Sequence, residues 1–154
     1  MEATATQITR EPRVLTAILV GGFVAGALDL AMAFNTYGWG VPRAIAGGLL
    51  GPEATQGGTG VWILGVFLHF FITCVAAAIY FFASRRLPFL RTSWLVCGLF
   101  FGIAVFLVMN LIVLPLSALH SVGPRTLRSL IEGILVHMFM VGLPISFSVR
   151  YFTR

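Results

Sequence analysis

The chain of 154 residues contains no lysine, and charged residues of every kind make up only 10% of it. Soluble domains carry about 25% charged residues, so an ordinary water-exposed surface is excluded. Carboxylates are scarce too, limited to Glu2, Glu11, Asp29, Glu53 and Glu132, and ten arginines outweigh them to give a formal net charge of +5. In a soluble protein that excess of base would suggest nucleic acid. Here the arginines stand at the ends of apolar runs, where topology and anionic lipid headgroups account for them, and no nucleic-acid partner is expected. Cysteine is nearly missing. Cys74 and Cys97 both fall inside apolar runs and form no CxxC pair, which argues against a disulfide framework and reads as thiols serving as small hydrophobes. There is no P-loop, dinucleotide fingerprint, HExxH helix or nucleophile elbow. Ser93, Ser117, Ser121 and Ser129 come with no base-and-orienter arrangement, so a hydrolase is not expected.

What the chain has in excess is apolar length: 58% of it is hydrophobic and its mean hydropathy is +0.98. A membrane-spanning helix needs about 20 apolar residues, and four runs meet that length, at about 14–35, 61–82, 93–114 and 129–149. Backbone polar groups in lipid must be satisfied within their own segment, so these runs are helices. The fold class is therefore all-α: a polytopic membrane protein with four transmembrane helices, forming one transmembrane domain over 1–154. Arg10 and Arg13, the following apolar run and Ala31-Met32-Ala33 have the outline of a signal peptide. Asp29, however, sits where that apolar region should be ending, and the run is read as a retained first span.

Arginine placement sets the expected orientation. Arg10, Arg13, Arg85, Arg86, Arg91, Arg150 and Arg154 fall on one side, and Arg43, Arg125 and Arg128 on the other. The positive-inside rule then puts both termini in the cytoplasm. Tyr37, Trp39 and Trp62 are expected in the outer aromatic belt, and Tyr80, Trp94 and Tyr151 in the inner one. Arg43, Arg125 and Arg128 are the candidate contacts to outer lipid headgroups. The outer connection 36–60 is long and glycine-rich. Pro42-Arg43 reads as the start of a short helix there, because proline suits a first helical position, and that helix is either interfacial or shallowly re-entrant.

The two halves of the chain resemble each other. Gly65, His69 and Phe71 recur as Gly133, His137 and Phe139, Gly22-x-x-x-Gly26 recurs as Gly98-x-x-x-Gly102, and Pro42-Arg43 recurs as Pro124-Arg125. Each half reads as a helical hairpin, and two hairpins of one orientation suggest an internal duplication of the parallel-repeat kind. The glycine pairs suit either packing within one bundle or homodimerisation.

Ionisable groups at membrane depth cost at least about 2.5 kcal/mol and face a partner in the bundle interior. At about 1.5 Å per residue, His69 and His137 lie about 12 Å below the outer helix ends, Asp29 about 9 Å and Asn110 about 6 Å. Each of the four spans thus supplies one residue to a polar cluster in the outer half, with Glu132 nearer the interface. On the first span Gly22, Gly26, Asp29 and Ala33 share a stripe of small residues, as do Gly65, His69, Thr73 and Ala76 on the second. Pro144 frees the carbonyl of Met140 and is expected to kink the fourth span.

Three uses of the cluster are open. Asp29, His69, Asn110 and His137 serve to fix helix packing, which makes the protein a non-enzymatic component or partner of a larger membrane assembly. Alternatively, His69 and His137 bind haem b, with Gly65 and Gly133 leaving room for the macrocycle, or hold a metal ion together with Asp29. In the third use, Asp29 and the histidines are titrating stations of a proton-coupled path.

The stretches Ser84-Arg85-Arg86-Leu87-Pro88-Phe89-Leu90, Val108-Met109-Asn110 with Pro115-Leu116-Ser117-Ala118, and His137-Met138 with Gly142-Leu143-Pro144-Ile145 resemble a family of small bacterial four-helix membrane proteins related to the YagU-like inner-membrane proteins. The resemblance spans most of the chain from the first helix onward. It implies a bacterial cytoplasmic membrane and the four-helix topology, and it assigns no activity to any residue.

Overall fold

A computed structural model describes residues 13–121, 123–124 and 126–153. Arg10, Arg125 and Arg154, together with Glu2 and Glu11, lie outside the described residues. Four helices are long and apolar enough to cross a membrane: α1 (Val14–Tyr37), α3 (Thr59–Arg86), α5 (Trp94–Leu116) and α6 (Leu127–Phe152). Between them lie α2 (Val41–Leu50), a 3₁₀ turn at Pro52–Gln56 and the one-turn helix α4 (Phe89–Thr92). No strand forms among the described residues. The class is all-α and polytopic. We call the end that carries Arg13, α4 and Arg150 the basic end, and the opposite one the distal end.

The spans begin and end where local chemistry dictates. α6 starts two residues before the apolar run because Thr126 and Ser129 form a reciprocal cap: the Thr126 hydroxyl accepts from the Ser129 N–H at 3.1 Å, and the Ser129 hydroxyl accepts from the Thr126 N–H at 3.3 Å. Such a box satisfies donors that a helix start leaves orphaned. α2 does carry Pro42 in its first turn, as its sequence required, and it stops at Gly51, whose φ of 100° is open to glycine alone at little cost.

α1 packs on α3 and on α6, and α5 packs on α6, so α1 and α6 form the centre. Close approach comes from small residues, because apolar lipid offers no hydrophobic drive for helix association. Added Cβ atoms at Gly22 and Gly26 would strike Cys74 and Phe70 of α3. At Gly98 and Gly102 they would strike Ser146, and His137 and Met138, of α6. Both glycine pairs thus pack inside their own hairpins, the first of the two uses their spacing suited. Cys74 and Cys97 are both free thiols, Cys74 within the α1–α3 contact. At the basic half, Tyr80, Phe81, Ile145 and Val149 are fully buried with Ala17, Ala25 and Ala77.

Tyr80 is therefore not a belt residue. It is 1% exposed, its ring meets Phe101 edge-on at 4.9 Å, and its hydroxyl donates to the carbonyl of Leu90 at 2.8 Å. Tyr37, Trp39 and Tyr151 are exposed as a belt requires. Trp62 donates its indole N–H to the carbonyl of Trp39 at 3.0 Å, which ties the start of α3 to the chain leaving α1.

Pro115 and Pro144 each follow a widened turn. Met109–Val113 and His137–Gly142 are π-helical, and the N–H groups of Leu114 and Leu143 reach back five residues to Met109 and Met138. The kink expected at Pro144 takes this form, since a π turn carries the chain past a residue that cannot donate. α6 packs on α1 from His137 onward, whereas Leu127–Val136 packs on α5. The hairpins consequently part toward the distal end.

Candidate functional site

Distal-half geometry starts with α2. The main chain of Pro42 lies against Gly65 so closely that a side chain there would collide with it. Ala46 is fully buried. The far end of α2 meets the second hairpin: Ala118 donates its N–H to the carbonyl of Gly48 at 2.8 Å, and Leu119 covers Gly47. α2 thus bridges α3 and the α5–α6 connection. Arg43 holds this arrangement by donating through Nε to the carbonyl of Gly57 at 2.7 Å, so one of its donors is spent within the chain. Arg128, also expected at lipid headgroups, pairs with Glu132 at 2.7 Å across one helical turn.

One turn deeper than Gly65 on α3 stands His69. Its Nε2 lies 3.0 Å from the carbonyl oxygen of Gly26 and 3.8 Å from Oδ2 of Asp29. A carbonyl only accepts, so Nε2 carries a proton and is the donor in this bond. At about 100° per residue, Asp29 falls on the sector of α1 between the glycines that take α3 and Ala17 and Gly21, which take α6. Asp29 therefore stands toward the space between the hairpins. The two side chains remain 17% and 12% exposed, Asp29 the more open.

Asp29 and His69 come together as the stripes on their helices predict. The other two members of the expected cluster do not join them: each bonds its own helix one turn back. Nδ2 of Asn110 donates to the carbonyl of Phe106 at 2.8 Å, and the Asn110 side chain lies against Gly123. Nδ1 of His137 donates to the carbonyl of Gly133 at 2.9 Å, and the Phe106 ring stands edge-on to it at 5.3 Å. Both residues sit at the entrance to the π turns.

The contrast follows from the repeat. Gly26 meets Phe70 as Gly102 meets Met138, and the histidine precedes each contact residue by one position. Three residues after Gly26 comes Asp29, whereas three residues after Gly102 comes Val105. The second hairpin has the histidine without the acid. The connections differ as well: Pro42 opens a separate helix, whereas Pro124 stands just before the Thr126 cap and α6 follows directly.

The room expected for a macrocycle is taken. Gly65 is covered by Pro42, and a Cβ on Gly133 would lie 2.5 Å from the Phe106 ring. Haem b between His69 and His137 does not fit these two sites. Among the described residues, no group of three or more His, Cys, Asp and Glu side chains gathers in metal-binding fashion. Sequence reasoning missed the α2 bridge and the bond from His69 to the Gly26 main chain. The first had a signal in the proline at 42 and the glycine at 65, while a main-chain acceptor has none.

In the basic half, Ser148 donates to the carbonyl of Ala17 on α1 at 2.8 Å, and Thr73, Ser84 and Ser146 donate to carbonyls three residues back. No family model, curated protein or solved structure matches the chain.

Proposed function

We propose that the chain is a non-enzymatic, multi-pass component of a larger membrane assembly. The observation that supports this is where the intramembrane polar groups go. His69 is spent on the Gly26 carbonyl, and Ser148 on the Ala17 carbonyl, each across a helix contact. Such groups fasten spans, and the apolar faces left over are what lipid or other spans pack against. The arginine excess at the basic end supports cytoplasmic termini. The resemblance to the YagU-like proteins supports a bacterial cytoplasmic membrane. Neither that resemblance nor the arginine pattern names a partner protein.

The test is purification from native membrane in mild detergent, with bound proteins, haem and metals identified together. The expected result is a defined complex with another membrane protein or further copies of this chain, and no Soret band. A solitary chain carrying stoichiometric haem, with a Soret band lost in His69→Ala or His137→Ala, would replace this reading with the redox one.

A second reading rests on Asp29, which keeps 17% of its side chain exposed toward the space between the hairpins. A carboxylate there serves a proton-coupled path. On that reading Asp29→Asn abolishes proton-coupled flux in proteoliposomes, and unchanged flux removes Asp29 from it.

A further inference from the structure

At the basic end, Pro88, Arg91, Thr92, Arg150 and Thr153 line a shallow open cavity of about 480 Å³. Two arginines from separate elements line it, Arg91 of α4 and Arg150 near the end of α6. Arg150 is held in place on one side. One of its terminal nitrogens donates to the carbonyls of Thr92 at 3.2 Å and Arg91 at 3.5 Å, and its guanidinium lies 5.8 Å from the centre of the Trp94 ring. Its remaining donors are left for something else. The Arg91 side chain has no hydrogen-bond acceptor and no carboxylate partner among the described residues.

Among the described residues the charge around the cavity is one-sided. Among the described residues the carboxylates are Asp29, Glu53 and Glu132. All three belong to the distal half: Asp29 toward the distal end of α1, Glu53 in the turn after α2, and Glu132 in the second turn of α6. Arg13, Arg85 and Arg86 add further positive charge at the basic end. The hydroxyls of Thr92 and Thr153 give their protons to the carbonyls of Phe89 and Val149, so the guanidiniums are the donors the cavity offers. A planar fork of N–H donors matches the oxygens of a phosphate in paired bonds, and two forks around one concavity suit a group with several anionic oxygens.

We propose that this cavity binds a phosphate group. Its position at the end of the spans puts it at the level where phospholipid headgroups lie, and a soluble phosphate is the other source of the same chemistry.

The experiment uses the purified full chain in mixed micelles of phosphatidylglycerol and phosphatidylcholine, with bound lipid counted by native mass spectrometry. Wild type retains phosphatidylglycerol in preference to phosphatidylcholine. Arg91→Gln lowers that preference at least about fivefold, the loss of one charge-assisted pairing with the phosphate, and Arg91→Lys, which keeps the charge without the fork, restores only part of it. Arg85→Gln/Arg86→Gln removes two exposed charges outside the cavity and leaves the preference within about twofold of wild type. Millimolar inorganic phosphate separates the sources: displacement of the lipid identifies a site open to soluble phosphate, and persistence of the lipid identifies a headgroup site. An absent preference in wild type overturns the proposal. So does a fall in Arg85→Gln/Arg86→Gln as large as that in Arg91→Gln, because the binding would then come from diffuse surface charge.

Discussion

Tyr80 has its ring buried against Phe101 and its hydroxyl on the Leu90 carbonyl, so Tyr80→Phe deletes one helix-to-connection bond while keeping the packing. The expected loss is about 1 kcal/mol, read as a lowered thermal midpoint in detergent; an unchanged midpoint would mean that water or lipid satisfies Leu90 equally well. The sequence marks Tyr80 as an interfacial aromatic because it lies near a helix end. What it hides is that the chain turns back at Pro88 and brings a carbonyl over the ring. The same limit applies to His69 and His137. Their shared depth and spacing are plain in the sequence, and the acid beside only one of them is plain as well. That His137 turns to its own Gly133 carbonyl follows once Val105, which cannot pair with it, is seen to occupy the place of Asp29.

Among the elements, α2 is the one whose placement depends most on a single position. Gly65→Ala puts a methyl group into the main chain of Pro42, and overpacking of this kind costs about 1–3 kcal/mol. Gly60→Ala, one turn earlier and facing open space, is expected to be neutral or to gain up to about 1 kcal/mol from helix propensity. Thermal unfolding of the two variants side by side checks this, and equal effects would place α2 elsewhere. The four spans were legible because apolar length dictates helices in lipid, and their ends shift by only a few residues where a cap or a basic turn extends them. The π turns were legible only in part. Pro144 announces a freed carbonyl, yet the chain can answer with a kink or a wider turn, and the choice depends on packing against α5. Pro115 announces the same thing, and there too the answer lies in the fold.

At the scale of the whole molecule, two hairpins join through α1 and α6 in the basic half and through α2 at the distal end. Cβ built on Gly48 lies 3.6 Å from Cβ of Ser117, within the range a disulfide spans. Gly48→Cys/Ser117→Cys is therefore expected to cross-link under mild oxidation, detected as a reducible shift in gel mobility; two thiols that stay free would mean that α2 does not reach the second hairpin. The repeat in the sequence foretold two similar hairpins but could not foretell this bridge, since the second connection has no helix to match α2. In the first hairpin the polar pair of Asp29 and His69 is read as a fastener between spans, a role that Asn110 and His137 do not take in the second. The most direct measurement is a thermal double-mutant cycle in detergent over Asp29→Asn, His69→Ala and their combination. A coupling of about 0.5–1 kcal/mol is expected, in the range of polar contacts measured inside membranes. Losses that add within about 0.3 kcal/mol would show that the two side chains do not act together.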